Sequence, residues 1–255
     1  MLKENLLPEI LAIVHECGDI MLHATDIDRK IHQKEGKGNF VTDYDSRVQK
    51  VLKTRLLALM PEAVFLGEED QMDHTDISQG YAFIVDPIDG TANFIRGYHA
   101  SCISVALAEN GYPVLGVIYN PYQKETYYAE KGKGAYCNGE RIQTSERTLE
   151  EGLILFGVAP YNKELMQKSF EIAYSYVSRG EDLRRSGSAA IDLCMVASGR
   201  AEFFFEMVLS PWDYAAGALL VEEAGGFTGD LEGRPLTYDR KQTVTARAPK
   251  VELLK

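Results

Sequence analysis

Several familiar signals are missing from these 255 residues. The four cysteines, Cys17, Cys102, Cys137 and Cys194, form no Cys-x-x-Cys pair and no zinc-like spacing. Their apolar surroundings mark them as reduced core thiols of a cytoplasmic protein. No uncharged apolar run is long enough to span a bilayer. Glu4, Glu9 and Glu16 interrupt the apolar residues of the first segment, so no export signal is expected there. Positive charge is scarce: 27 Lys and Arg face 38 Asp and Glu, a formal charge of −11. A phosphate backbone calls for a basic surface, which argues against nucleic acid as the main partner. The tyrosines do not interleave with basic clusters and read as sheet residues, not as a base-stacking surface. His15 and His23 have no companions that would make a metal site. No internal repeat and no low-complexity tract occurs. What is present is the composition of a globular chain long enough to bury one large core or two small ones.

Taken in order, the apolar residues from Leu6 to Met21 recur at helical spacing. His32 to Phe40 is polar and glycine-bearing and reads as a mobile loop, with Lys34 placed to close over an anion. A second helix is expected after Thr42, stopped by Pro61, with Asp43 and Asp45 in its first turn. Ala63–Leu66 reads as a strand ending in Gly67-Glu68-Glu69-Asp70. From Ser101 to Ile142, runs separated by Glu-Asn-Gly, Asn-Pro, Lys-Gly-Lys-Gly and Asn-Gly turns predict an antiparallel meander. Gln143 to Glu151 is polar and marks a domain boundary, giving an α+β half at 1–146 and an α/β half at 147–255. In the second half, strands at Leu153–Gly157, Asp182–Arg185 and Phe203–Glu206 alternate with helices at Lys163–Val177, Ala189–Ala197 and Tyr214–Glu223.

The chemistry concentrates in Ile84-Val85-Asp86-Pro87-Ile88-Asp89-Gly90-Thr91-Ala92-Asn93-Phe94. An apolar strand from Tyr81 is expected to stop at Asp86, Pro87 to fix a turn, and Gly90 to allow a close approach or an unusual backbone conformation. Thr91 and Ala92 could open a short helix with outward N–H groups. Two carboxylates at a strand end beside such N–H groups suit a hard cation and a phosphate. Taken alone, the stretch is equally readable as a surface turn, since Asp, Pro and Gly all favour turns. Asp213, before Tyr214-Ala215-Ala216-Gly217, is readable as a helix cap, though a cap needs neither Trp212 before it nor three small residues after it.

Together these segments resemble the inositol monophosphatase family, whose members are magnesium-dependent, lithium-sensitive phosphomonoesterases. The resemblance rests on Gly67-Glu68-Glu69-Asp70, Asp86 to Phe94, and Trp212 to Gly217 followed by Glu223-Ala224-Gly225-Gly226. Val41-Thr42-Asp43-Tyr44-Asp45, Lys131 to Gly139 and Ser186-Gly187-Ser188-Ala189-Ala190 support it, all in family order. It implies a layered αβαβα sandwich of the sugar-phosphatase type, an α+β half followed by an α/β half, assembled as a homodimer. It implies two or three Mg²⁺ ions held by Glu68, Asp86, the Ile88 carbonyl, Asp89 and Asp213, all oxygen donors. Thr91 and Asp45, with Glu68, match the positions that orient and deprotonate the attacking water. Gly90 and Thr91 match phosphate-binding positions. Ala189 and Glu206 match positions that bind substrate hydroxyls, with Asp89 and Asp213 nearby. Glu69, Gly187, Ser188 and Lys34 match supporting positions. Two departures stand out: Tyr214 replaces a residue that is usually aliphatic, and Arg184-Arg185 precede the Ser-Gly-Ser, where they favour a further anion. The implied substrate is a small phosphate monoester, an inositol phosphate or another sugar or polyol phosphate. Alternatives within the superfamily are fructose 1,6-bisphosphate, NADP and adenosine 3′,5′-bisphosphate; a regulatory binder of the transcription machinery is an alternative of another class.

Overall fold

The computed structural model describes residues 6–27, 31–33, 40–70, 75–159 and 162–254. Its first part holds α1 (Leu6–Leu22), β1 (Ile31–Gln33), β2 (Phe40–Thr42), α2 (Asp43–Leu59), β3 (Val64–Gly67), β4 (Tyr81–Asp89) and α3 (Thr91–Ile95). A meander follows: β5 (Cys102–Glu109), β6 (Tyr112–Asn120), β7 (Glu125–Glu130), β8 (Gly134–Cys137) and β9 (Glu140–Ile142). The remainder is β10 (Leu153–Phe156), α4 (Lys163–Val177), β11 (Asp182–Arg184), α5 (Ala189–Ala197), β12 (Phe203–Leu209), α6 (Pro211–Glu223), β13 (Phe227–Gly229) and β14 (Gln242–Arg247).

Two large sheets form. The seven-stranded one keeps chain order, β3-β4-β5-β6-β7-β8-β9, and the five-stranded one runs β11-β10-β12-β14-β13. Only β3 and β4 pair in parallel in the first sheet; its other neighbours are antiparallel, as the turn-separated runs predict. Helices fill the gaps to give five layers: α1 and α2 outside the large sheet, α5 and α6 between the sheets, α4 outside the small one. This is the expected αβαβα sandwich.

Each interface has its own apolar filling. Ile10, Ile13, Val14 and Cys17 of α1 and Val48, Leu52 and Leu56 of α2 meet Phe83, Val85, Val105 and Val117 of the large sheet. Such burial contributes about 1.5–3 kcal/mol for each large side chain. Between the sheets the filling is finer-grained, with Ala189, Ala190, Ala215, Ala216 and Ala218 prominent. Small residues let α6 lie close on β6: a Cβ at Gly116 would stand 2.9 Å from the Ala216 carbonyl oxygen and 3.1 Å from its Cα. Under α4, Tyr176 stacks on Phe203 with ring centroids 4.0 Å apart. Among the described residues no helix is long and apolar enough to cross a membrane.

The structure corrects several sequence boundaries. β4 does not stop at Asp86 but continues to Asp89, and Pro87 sits in an irregularity of its pairing with β5 between Asp86 and Asp89. Proline is tolerated there because a bulge leaves that N–H position out of the ladder. α6 starts at Pro211, three residues before the expected Tyr214, because proline suits the first turn of a helix. The expected loop at 32–40 has paired ends, β1 against β2, while its middle, Lys34 included, lies outside the described residues. β9, β13 and β14 were not expected at all; each is short or polar. All four cysteines are free; Cys17, Cys102 and Cys194 are buried and Cys137 is half-buried. His15 donates or accepts at the Thr126 hydroxyl and packs edge-on to Tyr119, a structural setting.

Candidate active site

The irregular end of β4 sets the geometry. The Ile88 N–H donates to Asp86 Oδ1 at 3.0 Å, folding the chain back on itself so that Asp86 and Asp89 are both buried. Gly90 then takes φ 84° and ψ 41°, and a side chain there would bring its Cβ within 2.8 Å of the Ala100 carbonyl oxygen. Glycine is required on both counts. At the end of neighbouring β3, the Glu68 N–H donates to the Val85 carbonyl, which brings Glu68 beside Asp86. Gly67 is held to hydrogen at its Cα by the Gln49 side chain, whose Oε1 accepts from the Glu69 N–H.

Asp45 enters from α2. It is the third residue of that helix and closes a capping box, accepting from the Thr42 N–H at 2.7 Å and the Thr42 hydroxyl at 2.5 Å. Its other oxygen, Oδ1, accepts from the Thr91 hydroxyl at 3.2 Å; Thr91 also has the Ile88 carbonyl at 3.1 Å. The cap and the site therefore share one fully buried carboxylate.

Two further elements arrive from the second half of the chain. Asp213 caps α6, accepting from the Ser210 N–H at 2.7 Å. Asp89 Oδ2 accepts from the Ser188 hydroxyl at 2.6 Å and the Ala190 N–H at 2.7 Å, with the Ala189 N–H contributing as well. The Ala189 N–H, expected at substrate, and the Ser188 hydroxyl, expected in support, thus face Asp89. Asn93 secures the same junction by donating to the carbonyls of Ala100 at 2.7 Å and Ser186 at 3.0 Å.

The electrostatics follow from burying acids together. Burial is the largest influence on Asp86 and Asp213 and lifts both well above the ordinary carboxylate range; the charges of Glu68 and Asp89 lift both further, as do Asp213 on Asp86 and Glu206 on Asp213. Burial lifts Asp89 to about 6, against the pull of its Ser188 and Ala190 donors. Asp45 also rises to about 6 through burial, its Thr42 donors holding it down. Among the described residues, no Lys, Arg or His forms an ion pair with Asp45, Asp86, Asp89 or Asp213. Nor, among them, does any group of three or more His, Cys, Asp or Glu stand in ready metal-holding geometry. Carboxylates that face one another with nothing positive between them repel. The donor set is all oxygen and short of positive charge, which fits a hard divalent cation.

Beside the carboxylates opens a cleft of about 190 Å³ bounded by Asp89, Asp213, Glu206, Asp192, Arg185 and Gly157. Glu206, on β12, is pushed up to about 8 by burial and by Asp89, with Arg185 opposing. A Cβ on Gly157 would fall 1.8 Å from Glu206 Oε2, so glycine keeps that carboxylate in place. Asp192 was not singled out in the sequence, yet it lines the cleft, fully buried, with the Ser186 side chain as its donor. An acid inside the apolar run Ala189–Ala197 was the signal available. Of the two arginines it is Arg185 that lines the cleft; Arg184 turns outward to Asp182 at 2.5 Å. Tyr214 is buried, and its hydroxyl donates to the Thr237 carbonyl at 2.6 Å.

Comparison with known proteins gives a consistent answer. The family model described as the inositol monophosphatase family matches residues 3–254. Inositol-1-monophosphatase of Bacillus subtilis is 34% identical over 238 residues, covering 93% of this chain and 90% of its own. Nus factor SuhB of Xylella fastidiosa is 35% identical over 218 residues, 85% and 78% of the two chains. Among solved structures, the extragenic suppressor protein suhB from Bartonella henselae superimposes with a TM-score of 0.88 at 31% identity, covering 97% of this chain and 95% of that one.

Proposed function

Since the chain belongs to the inositol monophosphatase family, we propose that this phosphatase hydrolyses a polyol or sugar monophosphate, inositol monophosphate among them, with the help of Mg²⁺. The observation that carries the reading is the Thr91–Asp45 hydrogen bond, set beside half-buried Glu68 and buried Asp86, Asp89 and Asp213. Those four carboxylates and the Ile88 carbonyl would hold the cations. When bound, the cations supply positive charge that neutralises the phosphate oxygens and favours deprotonation of water.

The chain's own residues do the rest. Thr91 Oγ1 accepts a hydrogen bond from the attacking water while donating to Asp45 Oδ1, so the water proton has a path to a buried carboxylate. The water oxygen bonds to phosphorus, the ester P–O bond breaks, and the leaving oxygen departs as an alkoxide that is reprotonated from solvent. Glu206 and Asp192 face the side of the cleft where hydroxyls of the substrate would lie, and carboxylates are good acceptors for them.

A panel of phosphate monoesters, assayed with Mg²⁺ and with chelator, tests the proposal. Turnover should appear with Mg²⁺, vanish on chelation and return on readdition, and Mg²⁺ alone should raise the melting temperature. Equal turnover in chelator would sink the assignment. Two superfamily substrates in the panel, fructose 1,6-bisphosphate and NADP, distinguish the monophosphate reading from its alternatives. A role at the transcription machinery is supported only by the names of relatives such as the Xylella protein.

A further inference from the structure

Of the four carboxylates that would hold the cations, Asp213 alone comes from the second half of the chain, in the first turn of α6. It faces the charges of Asp89, Glu68 and Glu206, all of its own sign, and these push it away until a cation arrives. The residue that follows it is held unusually firmly. Tyr214 is fully buried, its ring packed on that of Tyr238 with centroids 5.6 Å apart. A phenol has one proton to give and lone pairs to accept with. Tyr214 donates to the Thr237 carbonyl at 2.6 Å, with the Arg240 carbonyl at 3.2 Å, and accepts from Gln242 Nε2 at 2.7 Å. The same Gln242 amide also donates to the Thr237 carbonyl. Gln242 has a second hold on this segment. Its backbone pairs in register with Leu209, where the β12–β14 ladder resumes after an irregularity that follows Glu206. Leu209 precedes Ser210, whose N–H donates to Asp213. One residue of β14 thus fixes the chain on both sides of Asp213, Leu209 through the backbone and Tyr214 through the side chain.

We propose that Tyr214 and Gln242 are positioning residues that clamp Asp213 at the metal site against the repulsion of its neighbours. The inference rests on the Mg²⁺ reading above. A helix end free to turn about its axis would let Asp213 retreat from Asp89 and Glu68, and a cation would then have to draw it back. The phenol hydroxyl sits at the far end of a rigid, packed ring, so anchoring it to residues 237–242 stops that turn. An aliphatic side chain at 214 would fill the same space and anchor nothing. Holding a ligand in its bound position beforehand lowers the cost of binding. The clamp therefore acts on cation affinity and not on the chemical step, which no atom of Tyr214 or Gln242 takes part in.

Calorimetric titration of the full chain with Mg²⁺ tests this. Tyr214→Phe keeps the ring and removes the hydroxyl, while Gln242→Leu removes its donor from the other side. Each should weaken Mg²⁺ binding about tenfold or more, the scale for groups that orient a metal ligand from behind. The double variant should lose little more than either, because both break one contact. Turnover at limiting Mg²⁺ should fall with affinity and return to the wild-type level at saturation. Tyr176→Phe is the control for a purely structural role. It removes another buried hydroxyl, one that accepts from the Leu254 N–H at 3.1 Å. It should lower the melting temperature in chelator and leave Mg²⁺ affinity alone. Unchanged affinity in both Tyr214→Phe and Gln242→Leu would overturn the clamp. So would an equal loss in Tyr176→Phe, or a loss of turnover that saturating Mg²⁺ does not restore. A wild-type chain that took up no Mg²⁺ would bring down the metal reading and the clamp together. One that took up Mg²⁺ with the expected variant effects but hydrolysed no phosphate ester would bring down the proposed function alone.

Discussion

The Thr91 hydroxyl has one proton and two acceptors within reach, Asp45 Oδ1 and the Ile88 carbonyl. Thr91→Ala removes the relay and nothing that holds a cation, so turnover should fall roughly a hundredfold with little change in Mg²⁺ affinity. Near-normal turnover would reduce Thr91 to a helix-start residue. Asp45 accepts the proton only when ionised, and burial sets its pKa at about 6. Mg²⁺ bound beside it favours the ionised form, so the acid limb of kcat/KM should lie below pH 6. The same shift has a stability sign: the folded value exceeds the ordinary 3.8, so ionisation is disfavoured in the fold. Its cost is absent below about pH 4 and complete above pH 6, and Asp45→Asn should melt higher than wild type at pH 7.5 in chelator but not at pH 4. Glu206→Gln should weaken turnover of a polyol phosphate several-fold while sparing an aryl phosphate, which has no hydroxyls to recognise; equal losses on both would take Glu206 out of substrate recognition. At this scale the sequence was legible where a motif brackets the residue, as at Asp86, Asp89 and Thr91. Asp192 escaped because one acid in an apolar helix carries no motif. Arg184 and Arg185 could only be named together, because adjacent residues at a strand end point opposite ways and nothing in the order of letters says which faces inward.

Elements show why boundaries were harder to read than their existence. α1 and α2 announced themselves through apolar spacing, but β4 ran through its own proline, because the bulge that admits Pro87 depends on the partner strand β5. Glu223 had a motif around it and no evident task. Its carboxylate accepts from the Gly132 and Gly134 N–H groups at 2.7 and 2.8 Å, so two distant motifs are one contact that ties α6 to the β7–β8 turn. β6 and α6 are just as closely fitted at Gly116. Gly116→Ala forces its methyl against Ala216 backbone, which cannot rotate away, and should cost about 1–3 kcal/mol in a urea melt. Since α6 also carries Asp213, Mg²⁺ affinity should fall in the same variant. A stable Gly116→Ala protein with unchanged affinity would show that the layer yields more easily than its spacing suggests.

For the molecule as a whole, alternation of strand and helix gave an α/β second half, and the five layers were anticipated through the family resemblance that the motifs carry. The pairing of β13 and β14 was out of reach: their partners are set by the small sheet, and their own residues are polar or few. The two sheets differ in one respect that bears on how the chain comes to be folded. In the large sheet every neighbour in space is a neighbour in sequence, so most pairings close short loops at little entropic cost. In the small sheet β12 sits between β10 and β14, and helices must be threaded between its partners before it is complete. Short closures form early and long ones late. A ribosome releasing this chain would thus free a meander able to assemble while the second half is still being made. Glu68, Asp86 and Asp89 would then wait on that early sheet until α6, translated more than 120 residues after Asp89, brings Asp213 to them.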